Sequence, residues 1–91
     1  MGNEKNYLMV FDSQNQAFFL ESLLKRKNFD VDYIQAPKYL AASCSASLKM
    51  DRYALKFACE MINTFNLKIY RIYKCSKENG KLIYRVVKTK A

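Results

Sequence analysis

The sequence predicts an α+β domain. Two stretches with helical apolar periodicity interrupt five short runs with strand character, and the chain closes on an Asn79-Gly80 turn between two such runs. At 51% hydrophobic and 26% charged residues, the 91-residue chain has the composition of one globular domain over 1–91, with its core expected over 7–88. No apolar run approaches the roughly 20 residues that a membrane span requires.

The elements follow in order. "YLMVFD" (7–12) is a near-continuous apolar run ending in an acid and reads as a buried central strand. Ser13 is placed to cap a helix, with Gln16 three residues on as the reciprocal partner of a capping box. Ala17, Leu20, Leu23 and Leu24 then share one helical face, and Lys25, Arg26 and Lys27 sit favourably in the last turn, so 13–27 is an amphipathic helix. In "FDVDYIQA" (29–36), Phe29, Val31 and Tyr33 alternate with Asp30 and Asp32, a strand with one face in water that Pro37 ends. Residues 38–44 show no periodicity and read as a loop. "SASLKM" (45–50) alternates through Ala46, Leu48 and Met50 as a short strand. Asp51 caps a second helix with a stripe of Ala54, Leu55, Ala58, Met61, Ile62 and Phe65. The last stretch, "NLKIYRIYKCSKENGKLIYRVVKT", is a hairpin around Asn79-Gly80. A two-residue turn there sets Tyr73 opposite Val86 and Cys75 opposite Tyr84, with Tyr70, Ile72, Lys74, Arg85 and Val87 on the other face. The order β-α-β-β-α-β-β suggests a ferredoxin-like plait with an extra C-terminal strand. Both helices would then lie on one face of an antiparallel sheet, leaving the other face solvated or buried against a second copy as a homodimer.

Composition excludes several chemistries. The chain has 3 cysteines and 0 histidines, with no C-x-x-C, which removes the usual zinc sites and every histidine-based dyad or triad; no metal or cofactor is expected. A stand-alone enzyme is the least supported class, since acid–base work would fall to Lys, Tyr or Cys alone. The N-terminal "MGNEKN" is polar, without an apolar signal core, and residue 6 is Asn where a myristoylation signal has Ser or Thr; the expected compartment is the reducing cytoplasm, where the cysteines are free thiols. Charge is uneven. Residues 1–45 balance, and the whole excess of +8 falls on 46–91, mostly on the last 25 residues, which hold eight Lys/Arg and one Glu. That surface is expected to bind acidic partners or polyanions weakly.

Cys44 stands out among small residues in "APKYLAASCSASLKM" (36–50), between two apolar runs. Such a cysteine can be a small buried hydrophobe, or its reactivity can be the reason for it. Lys38 precedes it, Lys49 and Arg52 follow it, and the second helix begins near 51, so its positive end is expected to point back toward the loop; these groups would support a thiolate. Ser43, Ser45 and the neighbouring alanines leave room for an adduct on the sulfur. Cys59 falls on the apolar stripe of the second helix, and Cys75 near the end of a strand; both read as structural.

"VFDSQNQAFFLE" (10–21) and "APKYLAASCSASL" (36–48), taken with the order of strands and helices, resemble a family of short bacterial domains described as selenium/sulfur carrier proteins. The resemblance covers roughly residues 7–66. It implies that Cys44 is the family's signature cysteine, Pro37 its loop proline and Ser13 the serine opening the first helix. It implies a carrier that holds a persulfide or selenium adduct on the loop thiol and exchanges it with donor and acceptor proteins. One position departs: the family carries glycine directly after the cysteine, and this chain carries Ser45. The alternative reading from the residues is a nucleic-acid-binding or small-molecule regulatory module that uses the basic Tyr/Lys hairpin; RNA-binding sheets of this topology stack bases on aromatic side chains.

Overall fold

A computed structural model describes residues 4–37 and 46–89, with the side chains of the last two of these left aside. The elements are β1 (Tyr7–Phe11), α1 (Gln14–Arg26), β2 (Asp32–Gln35), β3 (Ala46–Met50), α2 (Arg52–Phe65), β4 (Ile69–Glu78) and β5 (Lys81–Thr89). The five strands form one sheet in the order β2-β3-β1-β4-β5, and every neighbouring pair is antiparallel. The fold is therefore α+β, with two helices and an antiparallel sheet, as the periodicity predicts.

β1 is the centre. It pairs with β3 on one side (Met9 opposite Leu48) and with β4 on the other (Met9 opposite Ile72). Leu8, Met9, Val10 and Phe11 are all 0% exposed, which is what a continuous apolar run requires. Met9 and Phe11 face a core completed by Leu48, Met50 and Ile72 of the sheet, Ala17, Leu20 and Leu24 of α1, and Ala54 and Ala58 of α2. Every buried helix residue joins this one cluster. Leu8 and Val10 face the other way and join Ala36, Tyr73 and Cys75, with Ile34, Tyr70 and Tyr84 packed alongside. The sequence left this second face to solvent or to another copy. On that face Leu8 and Val10 are buried within the chain and Tyr73 keeps only 3% of its surface exposed.

The two helices begin differently. Asp51 accepts a hydrogen bond from Ala54 N at 2.8 Å, the expected cap. Ser13 takes the N-cap position of α1 in extended conformation, but its side chain makes no capping bond. Gln16 does not reach back to form a capping box; its Oε1 accepts from the backbone N–H of Lys68 at 2.6 Å. The amide thus ties α1 to the start of β4, serving a donor far along the chain in preference to one nearby. α1 closes where Asn28 adopts φ 65° and Phe29 N bonds back to Leu24 O at 3.0 Å, and α2 closes on Asn66 at φ 55°. Phe18 and Phe19, off the buried stripe, stack on Tyr33 (centroids 4.8 Å apart) and meet Phe65 edge-on (5.3 Å).

β2 is shorter than the alternation suggests, because its partner ends: Asp32 pairs with Lys49, and one residue later β3 gives way to Asp51 and α2. Val31 still packs in the helix-side core, while Asp30 and Asp32 both hold Lys5 Nζ, at 2.9 and 3.1 Å. In the closing hairpin, Asn79 (φ 54°) and Gly80 (φ 78°) both take the left-handed conformation that a two-residue primed turn demands. Tyr73 pairs with Val86 and Cys75 with Tyr84, the expected register. Tyr70 departs from expectation. A register shift in the β1–β4 ladder opposes Phe11 to Ile69 and Val10 to Arg71, so Tyr70 packs with the second cluster and not beside Ile72.

The caps give a paired test. Asp51→Ala should lose about 1 kcal/mol of stability, because it removes a side-chain acceptor from the first turn of α2. Ser13→Ala should lose only a few tenths of a kcal/mol, because no such bond is broken. Urea denaturation of both variants measures the difference; equal losses would contradict the capping geometry.

Candidate functional site

The nominated thiol lies on the connection between β2 and β3. Cys44, Lys38, Ser43 and Ser45 are outside the described residues; the roots of that connection are inside them. Gln35 pairs with Ala46, so the chain leaves and returns at one point of the sheet. Ala36 is buried on the second face and Ala46 on the helix side, with Pro37 half-buried between Ala36 and the loop. One step inward, fully buried Ser47 donates from Oγ to Ile34 O at 2.8 Å, joining the two roots across the strand pair. A buried hydroxyl with this one partner is satisfied, and it fixes the separation of β2 from β3 where the connection begins.

Antiparallel pairing decides which other groups share this end of the sheet. Val10 opposes Ser47, so the C-terminal end of β1 lies beside the start of β3, and the chain runs from Phe11 through Asp12 and Ser13 into α1. The N-terminus of α1 therefore stands at the same end as the roots of the 36–45 connection. Its first turn holds no acidic residue, and Gln14 Nε2 donates to Tyr33 OH at 3.0 Å, bridging to β2. β4 also starts here, Ile69 opposite Phe11, preceded by Lys68. Arg71, opposite Val10, lies 4.9 Å over the Tyr70 ring and is hydrogen-bonded to Tyr73.

Of the residues expected to form the site, Ser13 and Pro37 sit at this end. Lys49 and Arg52 do not. β3 is extended, at about 3.3 Å per residue, so Lys49 lies roughly 10 Å along the strand from Ala46 and Arg52 lies beyond its far end. β3 separates the N-terminus of α2, expected to point back toward the loop, from Ala46, and the N-terminus of α1 stands at the end where the connection is rooted. Arg52 bonds Tyr53 OH at 3.0 Å and covers its own neighbour's ring at 5.0 Å. Sequence reasoning did not bring Gln14, Lys68 or Arg71 to this end of the sheet, and it gave Gln16 only a capping role. The signal was topological: with β1 between antiparallel β3 and β4, the residues after β1 meet those before β3 and those at the start of β4.

Lys49 instead faces a different cysteine. Cys75, 8% exposed on the second face, pairs with Tyr84, and its N–H bonds to Asn6 O at 2.6 Å. Burial pushes its thiol pKa up, and the charge of Lys49 draws it partly back. Cys59 is half-buried on α2 against the helix-side core, and neither cysteine is in a disulfide. Among the described residues, no group of three or more His, Cys, Asp or Glu could hold a metal ion, and no helix is long and apolar enough to cross a membrane.

A family model described as "Putative Se/S carrier protein-like" matches residues 6–74. The match opens just before β1 and ends inside β4; it includes Cys44 and Cys59 and stops one residue short of Cys75. No curated protein and no solved structure matches the chain at a significant level.

The raised pKa of Cys75 predicts a signed pH effect. The unfolded thiol ionises near pH 8.5 while the folded one stays protonated, so its contribution to stability is complete below about pH 8.5 and is lost as pH rises through the folded value. The stability difference between the native protein and Cys75→Ala, measured by urea denaturation, should shrink between about pH 7.5 and pH 9.5. A constant or growing difference would contradict a desolvated thiol.

Proposed function

The chain belongs to the Se/S-carrier-protein-like family, matched over residues 6–74, and from that premise we propose that it carries sulfur or selenium on the Cys44 thiol, between a donor and an acceptor protein in a reducing cytoplasm. The observation that carries the reading is the joint placement of two things. The matched region contains Cys44, and the N-terminus of α1 shares the sheet end where the 36–45 connection is rooted. Backbone N–H groups and the positive end of a helix favour an anion, and a carrier thiol works as the thiolate. Lys38, Ser43 and Ser45 flank the sulfur in sequence, and Pro37 and Ser13 frame the approach. The architecture is read as a ferredoxin-like plait with one added strand, a reading supported by the order β4-β1-β3-β2 among the first four strands.

The loading step is an exchange. The Cys44 thiolate attacks the outer sulfur of a donor persulfide, R–S–SH. The S–S bond of the donor breaks, R–S⁻ leaves, and Cys44 holds the persulfide. An acceptor nucleophile then takes that outer sulfur and returns the Cys44 thiolate. No net oxidant or reductant is needed, because the acceptor takes the outer sulfur at the oxidation level at which the donor gave it.

Incubation with a small-molecule persulfide donor followed by intact mass measurement tests this. The native protein should gain the mass of one sulfur, reversibly with dithiothreitol. Cys44→Ser should gain none, and Cys75→Ser should load normally. Loading that survives Cys44→Ser, or that is lost only with Cys75→Ser, would sink the assignment.

A further inference from the structure

At the opposite end of the sheet from the 36–45 connection, the basic charge of the chain is not spread evenly. A depression of about 390 Å³ opens between the segment before β1, the far end of β3 and the middle of β4, lined by Asn6, Lys49, Lys74, Cys75 and Lys77. A second, of about 240 Å³, adjoins it through Glu4, Asn6 and Lys74 and adds Tyr7 and Arg52. The sheet register explains the convergence. Lys49 and Tyr73 flank Leu8 from either side, which brings Lys49 to the face that holds Cys75 and, two residues on, Lys77. Lys74 sits opposite Tyr7 on the other face and closes the strip over the end of the sheet.

Some cations of the chain are already paired. Lys5 is held by Asp30 and Asp32, Lys25 by Glu21 and Arg85 by Glu78. Among the described residues, Lys49, Lys74 and Lys77 enter no ion pair, and Glu4 is the one acid lining the strip. Three like charges gathered on one depression, with the single acid Glu4 on its lining, repel one another unless an anion joins them. Leu82 and Cys75 give the larger depression some apolar surface, while the smaller one is lined by polar and charged groups around the Tyr7 ring. Lysine ammonium groups are compact point charges that suit phosphoryl oxygens.

We propose that this strip, centred on Lys49, Lys74 and Lys77 with Arg52 at its edge, binds a small anion bearing two or more phosphoryl charges. The site is separate from the Cys44 assignment and stands or falls without it. Cys75 forms its floor, so an occupied site shields that thiol.

Pyrophosphate is the probe, titrated calorimetrically into the full chain at about 0.15 M salt, where weak surface attraction is largely screened. The combined variant Lys49→Gln/Lys74→Gln/Lys77→Gln should weaken binding at least tenfold. Arg26→Gln/Lys56→Gln/Lys81→Gln removes the same number of charges from exposed positions elsewhere and should change it less than threefold. Circular dichroism checks that both remain folded. As a second readout, pyrophosphate should slow alkylation of Cys75 by neutral iodoacetamide in the native protein and not in the first variant. The same titration on Cys44→Ser should be unchanged, which separates this site from the carrier reading. Equal weakening in both triple variants would overturn the proposal in favour of net charge alone. So would Cys75 alkylation indifferent to pyrophosphate, or an oligonucleotide that binds more tightly than pyrophosphate and is weakened equally by both variants.

Discussion

The structure depends on the burial of β1 from both sides. Four consecutive side chains, Leu8 to Phe11, have no contact with water, and a strand stands hydrogen-bonded along each edge. Each such side chain contributes about 1.5–3 kcal/mol when removed from water, so this one short strand supplies a large part of what holds a small domain together. Yet β1 cannot set its own register, because a slip by one residue would exchange apolar groups for apolar groups. Its neighbours set it. On β3, Ala46, Leu48 and Met50 face the helices while Ser47 and Lys49 face away, and a slip would drive Lys49 into the core and break the Ser47 bond to Ile34. The centre supplies adhesion and the flanking strand supplies address.

That address has functional weight, since it decides what stands at each end of the sheet. With Val10 held opposite Ser47, the start of α1 and the roots of the 36–45 connection are brought to one end, and Gln16 pins the start of β4 there through Lys68. With Tyr7 held opposite Met50 and Lys74, the start of α2, Arg52 and the unpaired lysines are gathered at the other. Residues close in sequence to Cys44 are thus divided between the two ends. Proximity along an extended strand is a poor guide to proximity in space.

The elements legible in the sequence were those whose signal is local. Asn79-Gly80 fixed the hairpin and with it the pairing of Cys75 with Tyr84, because a two-residue primed turn sets the register as far as the irregularity between Ile72 and Tyr73. The stripes of α1 and α2, the Asp51 cap and the alternation of β3 were equally local. What escaped was decided by tertiary pairing. Gln16 has the spacing of a capping box, and a backbone donor from β4 claimed it. Tyr70 alternates correctly with Ile72, and a ladder irregularity turned it over. Lys49 and Arg52 follow Cys44 closely in the chain, and five residues of strand carry them away from its connection. The second apolar cluster was missed for the same reason: Leu8, Val10, Ala36 and Tyr73 come from distant segments, and no single window of sequence contains it.

The three cysteines show how position governs what a thiol can do. Cys75 lies in a ladder, its N–H bonded to Asn6 and its side chain beside Tyr84 under the second cluster, and burial favours its protonated form. Cys59 is packed along a helix against the core. Both take part in packing, Cys75 in the second cluster and Cys59 along the helix-side core. The connections between elements are otherwise short: Asp12–Ser13 after β1, residues 27–31 after α1, Asp51 alone before α2, 66–68 before β4, and the two-residue turn before β5. The stretch from 36 to 45 is the long one, and it holds Cys44. Long connections in compact domains carry function more often than they carry structure, because a scaffold needs only a few residues to turn a strand around. A sheet anchored by β1 and closed at Gln35 and Ala46 can bear such a connection at little loss of stability.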